Sequence, residues 1–354
     1  MQTIHLHIGI HKTGTTSVQA FLAGQQRALA AHGVLYPLSA RTDSTAHHNL
    51  AWEVLEDPRF DGSRGGWCEL VGEIEGSPCD HALVSAEDLC RLQPESIARV
   101  AERIDRFEVR VIVYLRRQDY LLEGFYTNAI RGGTTHLGFD TFFDKRRHSP
   151  RLDFDALLRG WESVFGRDRI QVETYDRDFD AAYDSIAPLL LCPPLVACPG
   201  LSREPTEGRL NEAPGLKTLE LVRQLNHAYR GGELDAEGHR AARAVALERA
   251  RRLGWDEERF VGLAEEASAD LLEQVRAGNA RVARDYRGRA DGALFSSDTP
   301  AASGRRLRGK EREEIRELLN ELLASPPAAP VPGRRTLRGL ARRALRRAGV
   351  HRTP

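Results

Sequence analysis

The chain has 354 residues and sets 51 lysines and arginines against 51 aspartates and glutamates. With no net charge to draw it to a polyanion, a nucleic-acid partner is not expected, and any basic function must come from local clusters. No run of about eighteen apolar residues occurs, which argues against a hydrophobic membrane span, and no basic segment leads into an apolar stretch at the N-terminus, so no signal peptide is expected.

Near the N-terminus, Ile4, Leu6 and Ile8 alternate with His5 and His7, a period of two that predicts a strand. The turn from Gly9 to Ser17 follows. Val18, Phe21, Leu22, Leu29 and Ala30 then fall at helical spacing, and Gly33 stops the helix. A strand that feeds a helix through Gly-x-x-x-x-Gly presents backbone N–H groups at the positive end of the helix dipole, which is a cradle for a phosphate. Thr13, Thr15, Thr16 and Ser17 add hydroxyls around it, and Lys12 adds a cation. Nucleotide triphosphatases place their lysine directly after the second glycine, where Thr15 stands here. Lys12 instead precedes Gly14, at the crest of the loop. A charge there can stand beside a bond breaking between a terminal group and a 5′-phosphate, with less need for a metal.

Val34 to Pro37 predicts a short second strand, and a polar loop then runs to His47-His48-Asn49. A short helix is expected over 50–55 and another over 67–76, closed by Gly76-Ser77-Pro78. His81 to Ser85 reads as a core strand that delivers Ser85, Ala86, Glu87 and Asp88 to one edge of a sheet. A helix over 94–106 leads into the apolar strand Val109 to Leu115, which ends at Arg116-Arg117-Gln118-Asp119. Further helices are expected near 120–130 and 153–165, and a strand at 170–175. The β-α-β alternation predicts a parallel sheet wrapped by helices, with ligands at the carboxyl ends of the strands. An irregular, proline-rich connection spans 192–215. Helices are then expected near 216–229, 236–253, 261–286 and 309–323.

His11-Lys12-Thr13-Gly14-Thr15-Thr16-Ser17 resembles the 5′-phosphosulfate loop of sulfotransferases that use 3′-phosphoadenosine 5′-phosphosulfate, where Lys-x-Gly-Thr-[Thr/Ser] follows the first strand. Val109 to Leu115 followed by Arg116 resembles that family's 3′-phosphate motif. The likeness is to a bacterial branch of the family. It implies donor binding by His11, Lys12, Thr13, Gly14, Thr15, Thr16, Ser17 and Arg116, with Lys12 stabilising the leaving phosphate and no metal required. It also implies a hydroxyl or amine acceptor on a carbohydrate, lipid or small molecule. Ser85-Ala86-Glu87 resembles the segment that carries a catalytic base in parts of the family, and His47-His48-Asn49 a histidine segment in related sequences. Glu87 is therefore the first choice of base and His48 the second. One departure stands out: eight residues after the arginine the family usually has a phosphate-binding serine, and here that position is Gly124.

The expected fold is α/β, a P-loop-type parallel sheet flanked by helices with a helical C-terminal half. The expected divisions are a donor-binding core over 1–205, a helical continuation shaping the acceptor side over 206–324, a proline-rich linker over 325–333, and a basic amphipathic tail over 334–354 that can contact an anionic membrane. Cys68, Cys79, Cys90, Cys192 and Cys198 form no Cys-x-x-Cys pair, which points to free, mostly buried thiols and a cytoplasmic protein, with peripheral contact at the inner face of the membrane through the tail. Two alternatives accompany the sulfotransferase reading: a P-loop kinase of a small metabolite, which needs an acid such as Asp88 for magnesium, and a non-catalytic nucleotide-binding protein associated with the membrane.

Overall fold

The computed structural model describes residues 1–42, 45–175, 214–258, 260–297, 299–300 and 304–324. Most of the irregular connection, the linker over 325–333, the basic tail over 334–354, and Cys192 and Cys198 lie outside these residues, as does the division expected near residue 205. The chain groups into two compact units.

The first unit comprises Met1–Tyr126, Phe139–Glu212 and Val261–Gly304. Its centre is a five-stranded, wholly parallel sheet of β1 (Thr3–His7), β2 (Val34–Leu35), β3 (His81–Ser85), β4 (Glu108–Leu115) and β5 (Ile170–Thr174), in the order β2-β3-β1-β4-β5. The parallel sheet expected from the β-α-β alternation is thus present, with β1 at its middle. On one face, Ile4, Leu6, Val84, Val111 and Val113 pack with Trp67 and Leu70 of α4 (Trp67–Glu75), Val100 of α5 (Pro94–Arg103) and Trp161 of α8 (Phe154–Phe165). On the other, Leu83, Ile112 and Tyr114 pack with Val18, Phe21 and Leu22 of α1 (Thr15–Gly24) and Leu29 of α2 (Gln26–Ala31). With both faces covered, the alternation in β1 does not mean that one side meets solvent. His5 and His7 are buried.

The helix expected from Val18 to Ala30 is two helices. The break falls at Gly24-Gln25, where Gln25 leaves helical geometry at φ −102° while its N–H still bonds Phe21, and glycine is the residue that helices hold least well. Helix α3 (His48–Val54) begins two residues before the expected start, so the histidine segment lies at a helix N-terminus and not in the loop. Helix α6 (Gln118–Arg131) follows β4. A further helix, α7 (Phe139–Arg146), was not foreseen; it buries Phe142 and Phe143, and its Phe139 ring meets Tyr126 edge-on at 5.1 Å. Helix α11 (Glu265–Arg287) belongs to this unit, where Arg287 Nη1 donates to the Val172 carbonyl of β5 at 2.7 Å.

The second unit holds Thr127–Gly138, Ala213–Phe260 and Arg305–Pro354, with helices α9 (Leu216–Arg230), α10 (Ala236–Arg252) and α12 (Gly309–Ala324) among its described residues. Asn226 of α9 organises it. Its amide donates to the carbonyls of Ile130 and Thr135 at 2.9 and 2.8 Å, and its oxygen pairs with His239 Nε2 of α10 at 2.8 Å. Among the described residues no helix is long and apolar enough to cross a membrane. Cys79 is buried, but Cys68 is exposed and Cys90 intermediate, so the expectation of mostly buried thiols does not hold for these three.

Candidate active site

The loop after β1 stays tied to the sheet before it leaves: Ile8 N–H donates to Ile112, Ile10 N–H to Tyr114 and Tyr114 N–H to Gly9, at 3.0, 3.0 and 2.6 Å. Lys12 then turns the chain with φ +69°, in the left-handed region that an L residue enters only at a cost of about 1 kcal/mol. Gly14, at φ +76°, caps α1 without a side chain, so the Thr15 and Thr16 amides at the positive end of the helix have no side-chain cap, while the Ser17 N–H donates back to the Gly14 carbonyl at 3.0 Å. The hydroxyls are not equivalent. Thr13 is buried and donates to the Ile10 carbonyl at 2.7 Å, bracing the loop from within, whereas Thr16 is exposed and Ser17 half-buried at the helix start.

Two other segments converge on this loop. From β4, Arg116 Nη1 donates to the Lys12 carbonyl at 2.8 Å, and its guanidinium carbon stands 5.7 Å from the centroid of the Tyr175 ring. Arg116 thus buttresses the crest of the loop, a contact that strand-end position alone did not foretell. Its neighbour Arg117 is buried in a bidentate pair with Asp119 and belongs to the packing. From β3, the chain passes Gly9 so closely that a Cβ on Gly9 would lie 2.8 Å from Glu87 Cβ. With φ +98° as well, Gly9 is where the loop must be glycine so that Glu87 can stand against it.

Glu87 opens a 3-10 turn, Glu87–Arg91, directly after β3. Its Oε2 accepts from Gln19 Nε2 at 2.7 Å and lies 3.5 Å from His48 Nε2. Burial alone would raise the Glu87 pKa, but His48, the Gln19 hydrogen bond, its own backbone N–H and His11 outweigh it and hold the carboxyl below its usual range. Gln19 also donates to Ser85 Oγ at 3.2 Å, and Ser85 pairs with His7 Nδ1 at 2.8 Å, so a buried polar chain runs from β1 through β3 and α1 to Glu87. Burial keeps the His7 imidazole neutral, lowered to about 4.

Asp88, the next residue, gathers cations. It lies 3.2 Å from His11 Nε2, 3.4 Å from Arg91 and 3.6 Å from Arg59, and accepts from Trp52 Nε1 at 2.7 Å. Burial works against its ionisation, yet the hydrogen bonds from His11 and Trp52 and the charges of His11 and His48 hold it well below the usual carboxylate range. His11 responds in kind. Burial alone would lower it, but Asp88, Cys90 at 3.6 Å and Glu87 push it up to about 9. Both ring nitrogens of His11 therefore face Asp88 and Cys90, and the side chain fastens the loop to the end of β3.

The two adjacent histidines separate cleanly. His47 is fully buried: its Nδ1 accepts from the Ser85 N–H at 3.2 Å, so Nε2 carries the proton and donates to the Pro37 carbonyl at 2.9 Å. Burial lowers it to about 4. His48 instead meets Glu87, lies 3.9 Å from Asp88 through Nδ1, and stacks on Trp52 at 5.8 Å between centroids. The structure thus brings Lys12, Glu87 and His48 to one edge of the sheet, with Arg116 behind the loop. Gln19, Asp88 and Trp52 complete the surroundings. Gln19 carried one signal in the sequence, an amide on the apolar stripe of α1 next to Val18 and Leu22.

Among the described residues no group of three or more His, Cys, Asp and Glu side chains is arranged to hold a metal ion. No family model and no curated protein sequence matches the chain. Among solved structures, the chain is similar to a sulfotransferase from Alicyclobacillus acidocaldarius, with 13% identity over 80% of this chain and 95% of that one, at a TM-score of 0.35.

Proposed function

We propose that this chain is a sulfotransferase that moves a sulfuryl group from 3′-phosphoadenosine 5′-phosphosulfate to a hydroxyl-bearing acceptor. The observation that carries the reading is the loop itself: its lysine stands at the crest, backed by Arg116, and its flank touches the residue that would serve as base. The uncapped Thr15 and Thr16 amides at the start of α1 and the Lys12 ammonium suit the 5′-phosphosulfate, and no lysine follows Gly14 as a nucleotide triphosphatase requires. Asp88, the acid that a magnesium-dependent kinase would place at this strand end, is committed to His11, Trp52 and Arg91.

In the proposed reaction, Glu87 accepts the acceptor's hydroxyl proton as that oxygen bonds to sulfur. The bond between sulfur and the 5′-phosphate oxygen breaks with its electron pair, and Lys12 meets the charge that develops on that oxygen. The products are the sulfated acceptor and adenosine 3′,5′-bisphosphate, and the proton rests on Glu87. Arg116 anchors the donor's 3′-phosphate as well as the loop, a guanidinium being a planar fork that matches a phosphate bidentately. Calorimetry on the Arg116→Ala variant tests this: adenosine 3′,5′-bisphosphate should weaken by roughly tenfold more than adenosine 5′-phosphate, which lacks the 3′ group. Equal losses for both ligands would restrict Arg116 to bracing the loop.

A further inference from the structure

Gly124 lies within α6, where glycine is a poor choice on helical grounds and alanine is ordinarily better. Its backbone is not in the left-handed region that would demand glycine. The demand comes from a neighbour. A Cβ at this position would lie 3.0 Å from Lys12 Cγ and 3.3 Å from both Lys12 Cβ and Lys12 Cδ, tighter than nine in ten such contacts, so the lysine stem would have to give by a few tenths of an ångström. These are the near atoms of the lysine: Cβ is fixed by the backbone, Cγ and Cδ move only if the stem changes rotamer and so redirects the ammonium, and the backbone that carries them is held by Arg116 through the Lys12 carbonyl and braced by Thr13 on Ile10.

We propose that Gly124 is a positioning residue for Lys12. Its bare backbone forms a notch in α6 that receives the methylene stem of the lysine, and the notch fixes the direction in which the ammonium is delivered. A serine side chain at this position would begin with the same Cβ and meet the same contact with the stem. The packing claim stands on the geometry alone, and its consequence for turnover rests on the sulfotransferase reading.

A double-mutant cycle tests both halves: Gly124→Ala, Lys12→Gly and the two together, each measured for urea unfolding, metal-free binding of adenosine 3′,5′-bisphosphate, and turnover. With Lys12 present, Gly124→Ala should fail to give the stabilisation that a helical Gly→Ala change ordinarily brings, and should cut turnover by about tenfold while bisphosphate affinity changes much less. With Lys12→Gly, which removes the stem, the same alanine should stabilise the fold and leave the residual turnover as it was. If Gly124→Ala alone does not fold and the double variant does, the notch is equally supported. Equal effects of the alanine on unfolding in both backgrounds would overturn the proposal. Absence of turnover in the unaltered chain would count against the sulfotransferase reading, while the unfolding cycle would still decide the notch.

Discussion

Lys12 occupies a left-handed backbone position that glycine would fill more cheaply, and its carbonyl is held from behind by Arg116. A charge placed at such a cost in a phosphate-type loop has a use that a neutral residue lacks. Lys12→Ala should therefore lower kcat by about a hundredfold while weakening donor binding far less, because the ammonium matters most as charge builds on the leaving oxygen; comparable losses in both would make it a binding residue only. Glu87 yields a prediction whose sign is set by its surroundings. His48, Gln19 and His11 hold its pKa below the usual range against the effect of burial, so it is ionised through neutral pH and loses its basicity only as pH falls through that lowered value. Activity should then persist through mildly acidic pH, with the acid limb falling below the ordinary glutamate range. Near-normal turnover in Glu87→Gln together with its loss in His48→Ala, donor binding intact, would assign the base to His48 instead.

At the scale of elements, the strands were legible because β1 alternates with a period of two while β3 and β4 are short apolar runs bounded by polar residues, and β3 and β4 lie within a residue or two of their expected limits. The loop and the strand-end position of Glu87 followed directly. Three features escaped. The break between α1 and α2 rests on one glycine, α7 is a short helix whose aromatics find partners elsewhere in the chain, and the pairing of Gln19 with Glu87 depends on how α1 lies across β3. The fate of His47-His48-Asn49 was illegible for the same reason: only the packed chain shows that the loop bonds back to the end of β3. His47 is the pin, receiving the Ser85 N–H and donating to Pro37. His47→Ala strands the Ser85 N–H, while the Pro37 carbonyl keeps the Arg41 guanidinium, and should lower the unfolding free energy by about 1–3 kcal/mol, read from urea denaturation. A loss well under about 1 kcal/mol would mean that the pin is dispensable.

At the scale of the whole molecule, the sheet order places β1 between β3 and β4, so the loop after β1 is flanked by the two strand ends that carry Glu87 and Arg116. That arrangement follows from topology: in a parallel sheet, the carboxyl ends of neighbouring strands share one edge, and polar residues scattered over about a hundred positions of sequence come together there. Expectation from sequence reached this far because the edge is a property of the fold class and not of any single side chain. The central claim is that this edge recognises a nucleotide bearing both 3′ and 5′ phosphates and does so without metal. Calorimetric titration of the full chain decides it most directly, with adenosine 3′,5′-bisphosphate in the presence of a chelator and, separately, with ATP and magnesium. The expected result is metal-independent binding of the bisphosphate, tighter than that of ATP with magnesium; tighter binding of ATP, dependent on magnesium, would show that this edge is built for a nucleoside triphosphate instead.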